Sequence, residues 1–197
     1  MSEGTDVAAL AARALAAAPL AGPVRVICID GPSGSGKTTL AAALVSELSA
    51  YVGDVPVVHG DDVYEGWGVA GDEPDPVRAF TIMGERLLTW LVRPWVAGAP
   101  GDHPVWDWHA DCWGDARAVP AAPVVVLEGV GLAGAALRPH ASLVVWLDAD
   151  ADARAARVAE RDGATVAAHM DAWRARETAW YAADRTAEHA DVRLRTS

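Results

Sequence analysis

Apolar and polar positions along the chain switch repeatedly between two periods. Val24-Arg25-Val26-Ile27-Cys28-Ile29 is a β-branched, nearly unbroken apolar run, the mark of a strand covered on both faces. Similar runs recur at Val55-Pro56-Val57-Val58-His59, at Pro123 to Val130 and at Ser142 to Asp148, with a short one at Ala190 to Leu194. Helical spacing fills the intervals. Val7 to Ala18 is alanine-rich and stops at Pro19, and Thr39 to Val45 follows the first strand. Val77 to Val96 carries Phe80, Met83, Leu87, Leu88, Leu91 and Val92 on one face. Asp75 is placed to cap that helix, Pro76 suits its first turn, and Pro94 is expected to kink or end it. Two further helices are predicted, Ala149 to Asp162 and Thr165 to His189, the second packing through Met170, Trp173, Thr178, Trp180 and Tyr181. Glu65 to Asp75, rich in Gly, Asp and Pro, reads as a loop able to move, and Ala97 to Ala121 as a long irregular segment. Strands alternating with helices predict an α/β fold.

Length and charge narrow the function classes. At 197 residues the chain reads as one domain, 1–197, with an N-terminal helix and linker over 1–22 and a lid-like segment over 150–165. A formal net charge of −11 disfavours nucleic acid and anionic membrane surfaces as partners, yet allows a small anion held by a local arginine cluster. Cys28 and Cys112 form no CxxC pair, and Cys28 lies in an apolar strand, so a reducing cytoplasm is expected. The alanine-rich N-terminal stretch follows Glu3 and Asp6 and lacks a basic region, which suits a packed helix better than a leader. No apolar run is long enough to span a membrane. The chain contains no Asn and no Gln, so it can carry neither an Asn-Lys-x-Asp guanine-reading motif nor a Gln that orients an attacking water.

The candidate chemistry centres on Gly31-Pro32-Ser33-Gly34-Ser35-Gly36-Lys37-Thr38, which fits the phosphate-binding pattern G-x-x-x-x-G-K-[ST] between a strand and a helix. Glycines let successive backbone N–H groups face a polyphosphate, and the helix start adds partial positive charge. Gly31, Ser33, Gly34, Ser35, Gly36, Lys37, Thr38 and Thr39 are the expected nucleotide-binding positions, with the Thr38 hydroxyl facing Mg²⁺. The competing reading is a glycine-rich turn that binds nothing. Against it, Lys37 is the only lysine in a chain that otherwise uses arginine. A compact ammonium suits this position better than a planar fork.

Other candidates stand at strand ends, which face the ligand crevice in open α/β sheets. Gly60-Asp61-Asp62-Val63-Tyr64 puts two acids and a tyrosine after the second strand, although Asp-Asp also suits a helix cap. Leu127-Glu128-Gly129 ends an apolar strand in an acid that can hold Mg²⁺. Trp106, Trp108 and Trp113 lie beside Asp107, His109 and Asp111, which fits a small-molecule pocket or a satellite core. A zinc site of His103, His109 and Cys112 has the right residue types but no common zinc spacing. Arg154, Arg157 and Arg161 share one helix face, as a lid over phosphates or as an ordinary solvated stripe.

Five segments in order resemble the uridine kinase and phosphoribulokinase branch of P-loop kinases: the glycine loop, Asp61-x-x-Tyr64, Pro104-Val105-Trp106-Asp107-Trp108, Leu127-Glu128-Gly129, and Asp148 to Asp162. The likeness covers nearly the whole chain from Val24 onward. It implies a three-layer α/β/α P-loop NTPase fold with a mainly parallel central sheet. It also implies ATP and Mg²⁺ as cofactors and a small-molecule hydroxyl, nucleoside-like, as phosphate acceptor. On this likeness Asp61 is the general base, and Thr38, Glu128 and Asp61 surround the metal. Tyr64, Trp67, Trp106, Asp107 and His109 shape the acceptor pocket, while Arg157 and Arg161 join Lys37 in catalysis. Trp106 stands where the family has tyrosine. Three other readings stay open: a regulatory NTPase without an acceptor, a kinase acting within a nucleic acid, and a nucleoside monophosphate kinase that would draw on Arg78, Arg86 and Arg117. A homodimer is also left open.

Overall fold

A computed structural model of the protein describes residues 6–196, apart from the side chains at 162–165 and 167. Residues 1–5 of the expected N-terminal helix and linker, Glu3 among them, lie outside the described residues. Helix α1 (Val7–Ala16) is capped by the Asp6 carboxylate, which accepts the Ala9 N–H. Strand β1 (Arg25–Asp30) leads through the glycine loop into α2 (Lys37–Val52), and β2 (Val57–His59) runs straight into the one-turn helix α3 (Gly60–Val63). Later strands β5 (Val124–Gly129), β6 (Ala141–Ala149) and β7 (Val192–Thr196) complete a five-stranded sheet in the order β2-β5-β1-β6-β7. Every adjacent pair is parallel.

Alternation along β1 builds two cores. Val26 and Cys28 face one way and Ile27 and Ile29 the other, all buried. The Ile27 face packs against Leu10 and Ala14 of α1 and Leu40, Leu44 and Leu48 of α2. The Val26 face packs against Phe80 and Met83 of α4 (Pro76–Leu87) and Trp173 and Trp180 of α6 (Ala151–Asp184). Helices therefore cover both faces of a parallel sheet, the three-layer α/β/α arrangement expected for the P-loop NTPase fold.

Three elements differ from the sequence expectation. The stretch expected to be irregular contains an antiparallel hairpin, β3 (Gly101–Asp107) with β4 (Cys112–Val119). Pro104 hides it in the sequence. A two-stranded ribbon tolerates proline, and the register shifts between Pro104 and Trp106. The helix expected over Val77 to Val96 is α4, then a π turn at Leu88–Val92, then α5 (Arg93–Val96). Pro94 has no N–H and its ring crowds the carbonyl four residues back, so the wider turn sits where a regular helix would clash. Finally, α6 is one helix of 34 residues where two were expected.

Candidate active site

The carboxyl ends of β1, β2 and β5 meet at one edge of the sheet. They bring the glycine loop, Asp61 and Glu128 around a cleft of about 790 Å³. The loop can be this tight because Gly34 has a φ of +78° and a side chain there would meet the Arg154 carbonyl oxygen at 2.4 Å. Lys37 is 8% exposed, and its Nζ donates to the carbonyls of Gly31 at 2.8 Å and Pro32 at 3.0 Å. Burial pulls the Lys37 ammonium below its ordinary pKa, and the acids Glu177, Asp30, Glu128 and Asp61 oppose that pull.

Thr38 and Glu128 form a second cluster. The Thr38 hydroxyl donates to Glu128 Oε1 at 3.2 Å, and His59 Nδ1 lies 2.6 Å from the same oxygen. That hydrogen bond raises the His59 pKa. Asp61 sits on α3 across the cleft. Its backbone carbonyl accepts the Trp108 indole N–H at 2.8 Å, and its neighbour Asp62 is paired with Arg117 of β4. The hairpin thus holds the turn carrying Asp61 from outside. Gly60 and Gly129 lie back to back, and the buried Tyr64 hydroxyl beside them donates to the Val130 carbonyl and accepts its N–H, both at 2.8 Å.

Aromatic rings form the far wall. Trp67 stacks on His169 with centroids 4.7 Å apart and meets Trp108 and Trp173 edge-on at 5.2 and 6.1 Å. Tyr64, Met170 and Arg161 complete this side.

Of the residues singled out from the sequence, Ser33, Gly34, Lys37, Thr38, Asp61, Tyr64, Trp67, His109, Glu128 and Arg161 all line the cleft. Trp106 does not; it is 9% exposed and packs edge-on against Trp113 at 5.1 Å inside the hairpin. Asp107 ends β3 at the hairpin turn, where its carboxylate accepts the N–H groups of His109 and Ala110. Arg157 donates to the Gly34 carbonyl at 2.9 Å and to the Thr196 hydroxyl at 3.1 Å, behind the loop. Arg154 reaches the Ala149 carbonyl at 3.2 Å, also off the cleft. Among the described residues no cluster of His, Cys, Asp or Glu has the makings of a zinc site, so His103, His109 and Cys112 form none.

Two buried acids went unread in the sequence. Asp30 is fully buried at the end of β1 and accepts the N–H groups of Gly31, Gly131 and Ala133 and the Tyr181 hydroxyl, at 2.7–2.9 Å. Burial raises its pKa against those hydrogen bonds. Glu177 reaches the loop from α6 and accepts from Ser33 and Trp173. The available signals were the acid directly before Gly31 and the four-residue spacing of Trp173, Glu177 and Tyr181, which puts all three on one helix face.

Comparison with known proteins bears on the family and the fold. A family model described as an AAA domain matches residues 27–177. A cytidylate kinase of Halobacterium salinarum is 30% identical across 77% of this chain, which spans 66% of that relative's length. The solved structure of a possible uridine kinase from Bacillus stearothermophilus superposes with a TM-score of 0.68 at 25% identity, covering 95% of this chain and 96% of that one.

Proposed function

The chain belongs to the AAA-domain family of P-loop proteins and is kinase-like within it, and from that premise we propose that it is an ATP- and Mg²⁺-dependent kinase phosphorylating a hydroxyl of a small, nucleoside-like molecule. One observation carries the reading: Lys37 and Asp61 line the same cleft, with the aromatic wall beside them. The loop amides and Lys37 would hold the triphosphate. The Thr38 and Glu128 oxygens, 3.2 Å apart, suit Mg²⁺, which keeps most of its waters and takes few protein ligands. Asp61 is the third candidate ligand. Bound there, the metal would spread the charge of the phosphate oxygens.

Asp61 would accept the acceptor hydroxyl's proton as that oxygen bonds to the γ-phosphorus and the bond to the departing ADP oxygen breaks. Arg161, in the cleft wall, would face the transferring group, and Arg157 would hold the loop through the Gly34 carbonyl. Tyr64, Trp67 and His109 would bound the acceptor, whereas Trp106 and Asp107 would act by shaping the hairpin. A reaction drawing on ATP fits a cytoplasmic enzyme.

The test is ADP release with Mg²⁺·ATP across nucleosides, sugars and vitamin precursors. Wild type is expected to turn over one acceptor class. Asp61→Asn should still bind ATP and lose about 10²- to 10⁴-fold in transfer. Full activity in that variant removes the base assignment. ATP hydrolysis with no acceptor favoured would support a regulatory NTPase instead.

The cytidylate kinase relative favours a second reading, a nucleoside monophosphate acceptor. Its phosphate would need cations on the acceptor side. Arg78, Arg86 and Arg117 pair with Glu73, Glu65 and Asp62 and do not line the cleft, which weighs against it. CMP and UMP belong in the same screen; turnover of either above its nucleoside would reverse the preference.

A further inference from the structure

The nucleotide reading uses Lys37, Thr38 and Glu128 but leaves one buried acid at the loop without a task. Glu177 is 3% exposed. Its Oε1 accepts the Ser33 backbone N–H at 3.0 Å, the Ser33 hydroxyl, and the Trp173 indole N–H at 2.5 Å. The same indole nitrogen lies 2.8 Å from the Ser33 hydroxyl oxygen. Ser33 is the third residue of the glycine loop and lines the cleft beside Lys37. Two donors of a loop made to receive an anion are therefore committed to an anion of the protein itself.

This contact is not the only tie between α6 and the loop. Tyr181, four residues further along the same face, already ties α6 to the loop base by donating to Asp30 at 2.7 Å. Glu177 is also the acid that bears most strongly on the Lys37 ammonium, ahead of Asp30, Glu128 and Asp61. Its negative charge thus lies directly behind Ser33 of the cleft lining, close to where an incoming polyphosphate would place its own, and like charges in a site of low dielectric repel strongly.

We infer that Glu177 is a resident anion of the glycine loop, which the terminal phosphate of a nucleotide must displace from Ser33. Glu177 is then a positioning residue that weakens nucleotide binding in proportion to phosphate number. A triphosphate meets the full penalty, and a monophosphate, which does not extend as far into the loop, meets little. The inference rests on the reading that the loop binds a nucleotide.

Calorimetric titration of AMP, ADP and ATP with Mg²⁺ tests it, using wild type, Glu177→Gln and Trp173→Phe. Glu177→Gln keeps the shape and removes the charge. It should bind ATP about tenfold tighter, ADP less so, and AMP within about twofold. Trp173→Phe removes the indole donor that holds the carboxylate and should tighten ATP by roughly two- to threefold. A purely structural Glu177 predicts a uniform loss, or no change, across the three nucleotides. Unchanged or weaker ATP binding in Glu177→Gln, or an equal gain for AMP, overturns the inference. If Glu177→Gln does not fold, Trp173→Phe decides alone, and unchanged or weaker ATP binding there is equally fatal. Wild type that binds neither ADP nor ATP defeats the nucleotide reading itself and this inference with it. Wild type that binds both isolates the failure to Glu177.

Discussion

The two sides of the cleft are built by different means. On the loop side, fixed groups are held by buried carboxylates and by backbone. Asp30 gathers four donors, and Lys37 is tied to two carbonyls of its own loop. On the aromatic side, α3 and the β3–β4 hairpin are joined by a few side-chain links, chiefly Trp108 to the Asp61 carbonyl and Arg117 to Asp62. Trp108 itself is 38% exposed. On the proposed function, the contrast follows what each side would have to recognise. A polyphosphate looks the same in every nucleotide, so a stiff cradle suits it. An acceptor differs from enzyme to enzyme, and the exposed part of that wall, Trp108 at the hairpin tip, can be recut without disturbing the sheet, whereas Tyr64 and Trp173 belong to the core.

The sharpest way to break this contrast is to take away a support of the stiff side. Asp30→Ala strands buried N–H groups at Gly131 and Ala133 and the Tyr181 hydroxyl. It should lower unfolding free energy by about 3–5 kcal/mol, read by urea denaturation, with Asn recovering part of the loss. A loss under about 1 kcal/mol would show that the loop floor does not depend on this acid. Lys37→Ala comes next. At Mg²⁺·ATP about a hundredfold above its Kd, wild type should gain about 2.7 kcal/mol, seen as a melting shift of roughly 5–10 °C that the variant lacks. A shift that survives the substitution removes Lys37 from binding.

The aromatic side should respond more gently and in a different quantity. Trp108→Phe keeps a ring against Trp67 and removes the bond to Asp61. Its effect is expected as a rise of about three- to tenfold in acceptor KM, with ATP affinity unchanged. If ATP affinity falls as much as acceptor affinity, the two sides are not independent. The smallest effect concerns pH. The N–H groups of Ala110 and His109 hold the Asp107 carboxyl below its ordinary 3.8. Its cap on the hairpin turn is complete above pH 3.8 and lost as pH falls through the lower folded value. Indole resonances of Trp108 and Trp113 should shift in that acid window in wild type and not in Asp107→Ala.

Sequence legibility divides along the same line. The glycine loop was readable because its chemistry fixes residue types at fixed spacing, with a β-branched strand before it and a helix after it. Glu128 and Asp61 were readable as strand-end acids. The hairpin was not. Most of β4 is exposed, so no alternation betrays a strand, and Pro104 speaks against one. The long α6 was divided at a weak spot in its periodicity near Gly163, because nothing local reveals that packing on the sheet carries a helix through. Asp30 and Glu177 were missed for a related reason. Apart from Gly31 and Trp173, their partners are backbone groups and side chains about a hundred residues or more away, brought close only by the folded sheet and helix.

The Lys37 amine has a practical corollary for labelling. It is the sole lysine in the sequence and lies folded under its own loop. Ordinary amine-directed dyes and crosslinkers will therefore find no other side-chain amine to acylate and will reach this one slowly. An acylating group delivered on a nucleotide should leave an adduct at position 37, so the fraction of the peptide containing Lys37 that carries it, set apart from adducts at the α-amine and the exposed Cys112, counts occupied sites.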